Sequence, residues 1–339
     1  MSNALFQLVW KPLQPLLTEV RTVYYSPSGL LCRLSFAAIH ADNGKLLTDK
    51  YNLKQLLCTR SLAWSSQNKD FFTTASLWGD IDYDNAATIT AAPLPGYVSG
   101  GTVLFAPSYD FNATNKSNYN RVWQALPGTK TETEKIFLLL KEKNIIAEQQ
   151  NGSAASEEQF KKMDGASPGL LHIATHGFFL QAAAASKASG YHPEESNSFS
   201  LQQNPMFRSG LLLAGSNATW SGNATQHTRE DGVLTAYEIS QLDLSNSQLI
   251  TLSACETALG DIEDNEGVYG LQRAFKMAGA QRLLMSLWKV PDKETSELML
   301  IFYTYLLQGD DASNALHNTQ LAMKEKYAPY YWAGFVLTE

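Results

Sequence analysis

Two short apolar runs, each stopping at a residue able to do chemistry, constrain this 339-residue chain more than anything else in it. Residues 170–175 read LLHIAT and lead into His176-Gly177; residues 249–254 read LITLSA and lead into Cys255. A strand that is apolar on both faces belongs inside a parallel sheet covered by helices on both sides. The neighbouring segments supply those helices. Residues 129–143 carry Ile136, Phe137, Leu139 and Leu140 at helical spacing, with a capping box offered by Thr129 and Glu132 or by Thr131 and Glu134. Ser156, with Gln159 three positions on, opens another helix. Residues 232–242 predict a helix, 267–278 predict one stopped by Gly279, 294–307 predict one closed by Gly309, and 312–326 predict a last one. Strand-like stretches fall at 103–106, 210–214, 282–288 and 331–337, and the first 70 residues read as a helix near 13–20 followed by short strands. In open α/β sheets, ligands sit beyond the carboxyl ends of the strands. His176 and Cys255 each come just past such an end, so both are expected on one rim although about 80 positions separate them.

A thiol needs a neighbouring base to become a nucleophile, and imidazole both takes the thiol proton and returns it to a leaving amine. Gly177 lets a substrate backbone approach, and its N–H together with that of Cys255 is the expected oxyanion hole. His172 is the rival base, two alternations earlier on the same strand face, and is expected to be structural. His40, His192, His227 and His317 are expected to be ordinary core or surface residues, and Cys32 and Cys58 core ones.

The net charge of −7 argues against a nucleic-acid binder, which would neutralise phosphates with Lys and Arg. No apolar run is long enough to span a bilayer, and the start has no basic segment leading into an apolar one, so a cytoplasmic protein is expected. Three cysteines without a close pair suit a reducing compartment and offer neither a disulfide framework nor a zinc site. No cofactor or metal is called for. Asn112, Asn115, Asn217 and Asn223 fit the glycosylation triplet and are expected to be chance matches in polar loops.

The segments LLHIATHGFF and ITLSACETALGD, followed by EGVYGLQRAFKMAGAQRLLMSLWKVPD, resemble the CHAT-domain peptidases of the caspase and separase clan. VWKPLQPLL, VYYSPSGLL, LSFAAI, LPGTKTETEKI and DGVLTAYEISQLDL are similar to that family too, in the family's order, so the resemblance runs from about Leu8 to Val336. It implies a caspase-like α/β/α sandwich with a mostly parallel central sheet. Residues 1–124 would form an N-terminal, degenerate caspase-like half and 125–339 the catalytic half. It implies His176 as base and Cys255 as nucleophile of a cysteine endopeptidase acting on a protein substrate in bacterial signalling or defence. Family members are often joined to tetratricopeptide repeats, so an activating protein or a partner carrying such repeats is expected. Glu256 and Thr257 follow the cysteine, unlike the Gln-Ala-Cys-x-Gly of caspases, so cleavage after Asp is not implied.

SLWKVPDKE resembles the separase segment that supplies a carboxylate to the pocket for the residue before the cut, which would select a basic side chain. Asp292 is the candidate pocket acid and Glu294 the poorer one; capping of the following helix is an equal role for Asp292. Asp231 is read as a further helix cap. Asp261, Glu263, Asp264 and Glu266 form an acidic loop that would attract a basic substrate, bind calcium, or simply be solvated; the Gly of an EF-hand would fall one place late. Two other functions compete: a catalytically silent caspase-like scaffold, and a thiol hydrolase or transferase acting on small molecules.

Overall fold

Leu170–Ile173 (β5) has every side chain buried, and so does Leu249–Leu252 (β9), as their apolar runs require. The computed structural model describes residues 2–41, 44–63, 72–86, 122–180, 204–221, 230–254, 261–263 and 267–339. Eight strands form one sheet: Thr22–Tyr25 (β1), Asn52–Gln55 (β2), Thr74–Ile81 (β3), Ile146–Gly152 (β4), β5, β9, Arg282–Ser286 (β12) and Phe335–Thr338 (β13). Their spatial order is β1-β2-β13-β12-β9-β5-β3-β4, and every neighbouring pair is parallel except β12 with β13. A small antiparallel sheet of Gly177–Phe179 (β6), Ser209–Leu212 (β7) and Val233–Thr235 (β8) stands beside the end of β5. Asp261–Glu263 (β10) and Gly267–Tyr269 (β11) pair as a hairpin.

Helices lie on both faces, and the two-residue alternation of the strands decides which core each side chain joins. One core gathers Leu77, Leu170, Leu249 and Leu284 with Ile136 and Leu140 of the helix Pro127–Glu142 (α1) and Phe302 and Tyr303 of Asp292–Leu307 (α5). The helix Ala312–Lys324 (α6) adds Ala315, Leu316 and Met323. The opposite core gathers Trp78, Leu171, Ile173, Ile250, Leu252 and Met285 with Phe160 of Glu157–Lys161 (α2), Ile239 of Ala236–Ser240 (α3) and Phe275 of Leu271–Met277 (α4). The result is a three-layer α/β/α sandwich. Each fully buried large side chain contributes roughly 1.5–3 kcal/mol. Phe6, Trp10, Phe36, Ile39, Leu47 and Tyr51 make a smaller core beside β1 and β2.

Several predicted boundaries shift for local reasons. α1 starts at Pro127, whose fixed φ suits a first helical position, and neither predicted capping box forms: Thr129 donates its hydroxyl to the Leu126 carbonyl instead. The helix predicted over 232–242 divides into β8 and α3. Thr235 caps α3 in a reciprocal box with Glu238, while Asp231 accepts from the Val233 N–H before β8 and so caps no helix. Likewise the apolar spacing of 267–278 divides into β11 and α4. Near the start, a three-residue turn, Gln14–Leu16, replaces the helix expected at 13–20, and helical turns fall at Ser2–Leu5 and Phe6–Trp10 instead. Ser156 does cap α2, accepting from Gln159 N, and Gly279 and Gly309 sit at φ 95° and 108° past their helices. The strand expected at 103–106 lies outside the described residues. Among the described residues, no helix is long and apolar enough to cross a membrane.

Candidate active site

Past Ile173 the chain leaves the sheet in a pinned conformation. The Ala174 N–H donates to the Trp78 carbonyl (2.7 Å), extending the ladder with β3. The buried Thr175 hydroxyl donates to the Leu212 carbonyl and also meets the Tyr83 hydroxyl at 3.0 Å. The His176 carbonyl then accepts from the Leu212 N–H (2.9 Å), and Gly177 opens β6 opposite Leu211. His176 is thus held from both sides before its side chain is considered.

Its ring lies between two aromatics, with centroids 5.1 Å from Tyr83 and 4.9 Å from Trp123. His176 Nε2 lies 2.8 Å from the Gln124 carbonyl oxygen. A carbonyl can only accept, so Nε2 carries the proton and Nδ1 keeps the lone pair. Burial depresses the His176 pKa below 6.5; the Gln124 carbonyl opposes this, Lys289 adds to it and Asp292 opposes it. At neutral pH the ring is uncharged, with a fixed tautomer.

Asn217 holds the cage together. Its Oδ1 accepts from Trp123 N (2.8 Å), its Nδ2 donates to Trp123 O (3.1 Å) and to Asp84 Oδ1 (2.8 Å), and its own N–H donates to Tyr83 O (2.9 Å). One residue, through its side chain and its main-chain N–H, therefore ties together the backbones that carry both flanking aromatics and the Gln124 carbonyl. This buried Asn is one of the glycosylation triplets; with its amide inside the protein it is a structural residue, not one in a polar loop. Asn112, Asn115 and Asn223 lie outside the described residues.

β9 ends beside β5. Their register pairs each residue with the one 79 positions later, from Leu170 with Leu249 to Ile173 with Leu252. The pairing continues beyond the strands, since Ser253 N donates to the Ile173 carbonyl (2.9 Å). Ser286 Oγ then holds the Ala254 carbonyl at 2.9 Å. Cys255 itself lies outside the described residues, as do Asp264 and Glu266 and the side chains of Asp261 and Glu263.

An open cleft lies at this rim, where the first turns of α1 and α5 meet the ends of β5 and β9. Thr175, Ser253, Ala254 and Ser286 form one wall; Gly128, Glu132 and Asp292 belong to the other. The approach is close: a Cβ on Gly128 would stand 3.1 Å from the Asp292 Cβ. Asp292 is exposed and is the first residue of α5, with Pro291 in the capping position and no capping bond from a side chain. The capping role considered for Asp292 is therefore not the one it plays. Glu294 is half-buried and does not line the cleft.

His172 is fully buried and occupied at both nitrogens: Nε2 lies 3.0 Å from Glu132 Oε1 and Nδ1 lies 3.1 Å from the Tyr303 hydroxyl. It is a core residue. Among the described residues, one carboxylate group has oxygens close enough to hold a cation: Glu157, Glu230 and Glu238. Lys161 Nζ already stands 2.7, 2.6 and 3.0 Å from them, so an ammonium fills the place a metal would take.

The sandwich, its strand order and a rim built from the ends of neighbouring parallel strands define the caspase-like class of α/β folds seen in cysteine proteinases. Among solved structures, gingipain R, an Arg-specific cysteine proteinase, matches with a TM-score of 0.53 at 10% identity, over 100% of this chain and 67% of that one. The complex of the pro- and mature domains of Porphyromonas gingivalis RgpB matches with a TM-score of 0.52 at 10% identity, over 100% of this chain and 68% of that one. The CHAT-domain family profile matches residues 1–338, and the chain belongs to the CHAT-domain family. Tetratricopeptide repeat protein 28 of Mus musculus is 37% identical over 108 residues, 31% of this chain, and that of Homo sapiens 36% identical over the same length. The chain spans only 4% of the length of these relatives.

Proposed function

We propose that this CHAT domain is a cysteine endopeptidase in which Cys255 is the nucleophile and His176 the base. The observation that carries this reading is the register of β5 with β9: its offset of 79 is also the number of positions from His176 to Cys255. In the reaction, His176 Nδ1 takes the thiol proton as sulfur bonds to the scissile carbonyl carbon. The same proton then goes to the leaving amine as the C–N bond breaks. Water, deprotonated by His176, hydrolyses the thioester and restores the thiol. The Gln124 carbonyl fixes the tautomer and stabilises the imidazolium, and the N–H groups of Gly177 and Cys255 would receive the oxyanion.

The cleft beside the rim would take the side chain before the cut, with Asp292 selecting a basic one. The Arg specificity of gingipain R, a protein of the same fold, agrees with that choice. Residues 1–124 would serve as a half that carries neither the nucleophile nor the base, while lending Tyr83, Trp123 and the Gln124 carbonyl to the cage around His176. The similarity to part of the tetratricopeptide repeat proteins supports a repeat-bearing activator, and bacterial signalling or defence is the setting we infer from the family resemblance alone. Mass-spectrometric mapping of new N-termini in a proteome treated with parent or Cys255→Ala protein tests this. Cuts after Arg or Lys made only by the parent are expected. No Cys255-dependent cut, even with lysate added as activator, would overturn the peptidase reading in favour of a silent scaffold.

A further inference from the structure

We propose that Glu132 is a second specificity-determining carboxylate of the cleft, an inner acid that would receive the far end of an arginine side chain while Asp292 receives it nearer the mouth. This rests on the reading of the cleft as the pocket for the residue before the cut. Glu132 is 2% exposed and nonetheless lines the cleft, on the second turn of α1, opposite the walls formed by Thr175 and Ser253. A carboxylate so deep in the protein needs compensation, and the chain provides it from behind.

The hydrogen bonds fix how. The Tyr303 hydroxyl donates to Thr251 Oγ1 at 3.1 Å, so its single proton is committed there. The Tyr303 oxygen must then accept from His172, which places a proton on Nδ1. His172 Nε2 faces Glu132 Oε1 at 3.0 Å, and two lone pairs would repel at that distance. One proton therefore lies between them, and the pair is neutral as a unit whichever atom holds it. Its burial is tolerable for that reason, and the acid need not stay protonated to be buried. The other Glu132 oxygen accepts no hydrogen bond from any other described residue. A guanidinium entering the cleft would bond to that oxygen and draw the shared proton fully onto His172, turning the pair into imidazolium and carboxylate without exchanging a proton with solvent. Arginine suits the site better than lysine, because its planar fork can reach two acids set at different depths, whereas an ammonium is a single point of charge. Glu132→Gln keeps the shape and the bond to His172, with the amide N–H donating to Nε2, and removes only the capacity to yield the shared proton and become a carboxylate.

Binding separates this inference from the peptidase reading, since it needs no turnover. N-acetyl tripeptide amides ending in Arg, Lys or citrulline are titrated by calorimetry into full-length Cys255→Ala protein, alone and combined with Glu132→Gln or Asp292→Asn. Citrulline keeps the shape of arginine without its charge. The expected result is a preference for Arg over citrulline that Glu132→Gln lowers at least tenfold and that Asp292→Asn lowers without abolishing. Full preference retained in Glu132→Gln would overturn the inner-acid role and leave the cleft and the peptidase reading standing. Loss of all preference in Asp292→Asn alone would overturn it equally, and that arm decides the matter should Glu132→Gln fail to fold. No preference in the parent would overturn the basic pocket and the inference together, while Cys255-dependent cleavage in the proteome would still report on the peptidase.

Discussion

Asn217→Ala probes how the proposed base, His176, is held, because Asn217 makes no contact with the imidazole. The change deletes two bonds to the Trp123 backbone and one to the Asp84 carboxylate, and keeps the backbone bond to Tyr83. Each neutral bond is worth about 1 kcal/mol and the bond to a charged group about 1.5 kcal/mol. Asp84 is exposed and Trp123 only half-buried, so water replaces part of this and the expected loss is about 2–3 kcal/mol. For a chain of this size that is a fall in Tm of roughly 3–4 °C. The effect on catalysis should be larger than the effect on stability. Residues 123 and 124 are adjacent, so releasing Trp123 releases the Gln124 carbonyl that sets the His176 tautomer. A displacement of about 1 Å at a reacting group costs on the order of 100-fold. Cleavage kinetics on a substrate identified by proteome mapping, at 25 °C where the variant is folded by circular dichroism, should show kcat/KM down about 100-fold. A variant with the expected drop in Tm but kcat/KM within about threefold of the parent would refute the idea that this cage positions the base.

Three further outcomes follow from the same contacts. Because burial holds the His176 pKa below 6.5, the acid limb of kcat/KM should have its midpoint below pH 6.5; the sign is such that the neutral ring stabilises the fold above 6.5 and that contribution is lost as pH falls through the lowered value. Asp231 behaves in the opposite sense: burial and Glu238 raise its pKa to about 6, so the native state holds a proton that the unfolded chain releases near 3.8, and stability from this group falls as pH rises through 6. Asp231→Asn keeps the bond to Val233 N and should melt a few degrees higher than the parent at pH 7.5, with the difference closing by pH 4 in a calorimetric series. Tyr303→Phe leaves His172 Nδ1 and Thr251 Oγ1 buried without their partner and should cost about 2–4 kcal/mol in urea unfolding.

What could be read in the residues follows the range of the forces involved. The two buried strands announce themselves by composition, and a parallel sheet follows from their apolar faces, so the rim position of His176 was legible before any coordinates. α3 and α4 were overextended because β8 and β11 run directly into them, and apolar periodicity cannot mark where a strand of three residues becomes a helix. In the sequence, Glu132 offers only half of a capping box. Its partner His172 lies 40 positions away and Tyr303 131 positions from His172, so nothing local shows that they meet. The same holds for Asn217, 94 positions from Trp123, where the triplet pattern pointed to a surface and the fold made a buried tie. The Gln124 carbonyl carries no side-chain signal; the one hint was Pro127, which marks a helix start and hence a chain segment ending at the sheet rim.

The pairing of the thiol at 255 with the imidazole at 176 is tested most directly by alkylation. Cys255, Cys32 and Cys58 are labelled with iodoacetamide between pH 5 and 9 and resolved by peptide mass spectrometry, in the parent and in His176→Ala. Cys32, whose thiol burial pushes up, is the internal slow reference. The account predicts that Cys255 reacts at pH 6 far faster than Cys32 and that His176→Ala removes at least tenfold of that rate. A Cys255 profile rising only near pH 8.5, the same with and without the imidazole, would contradict it.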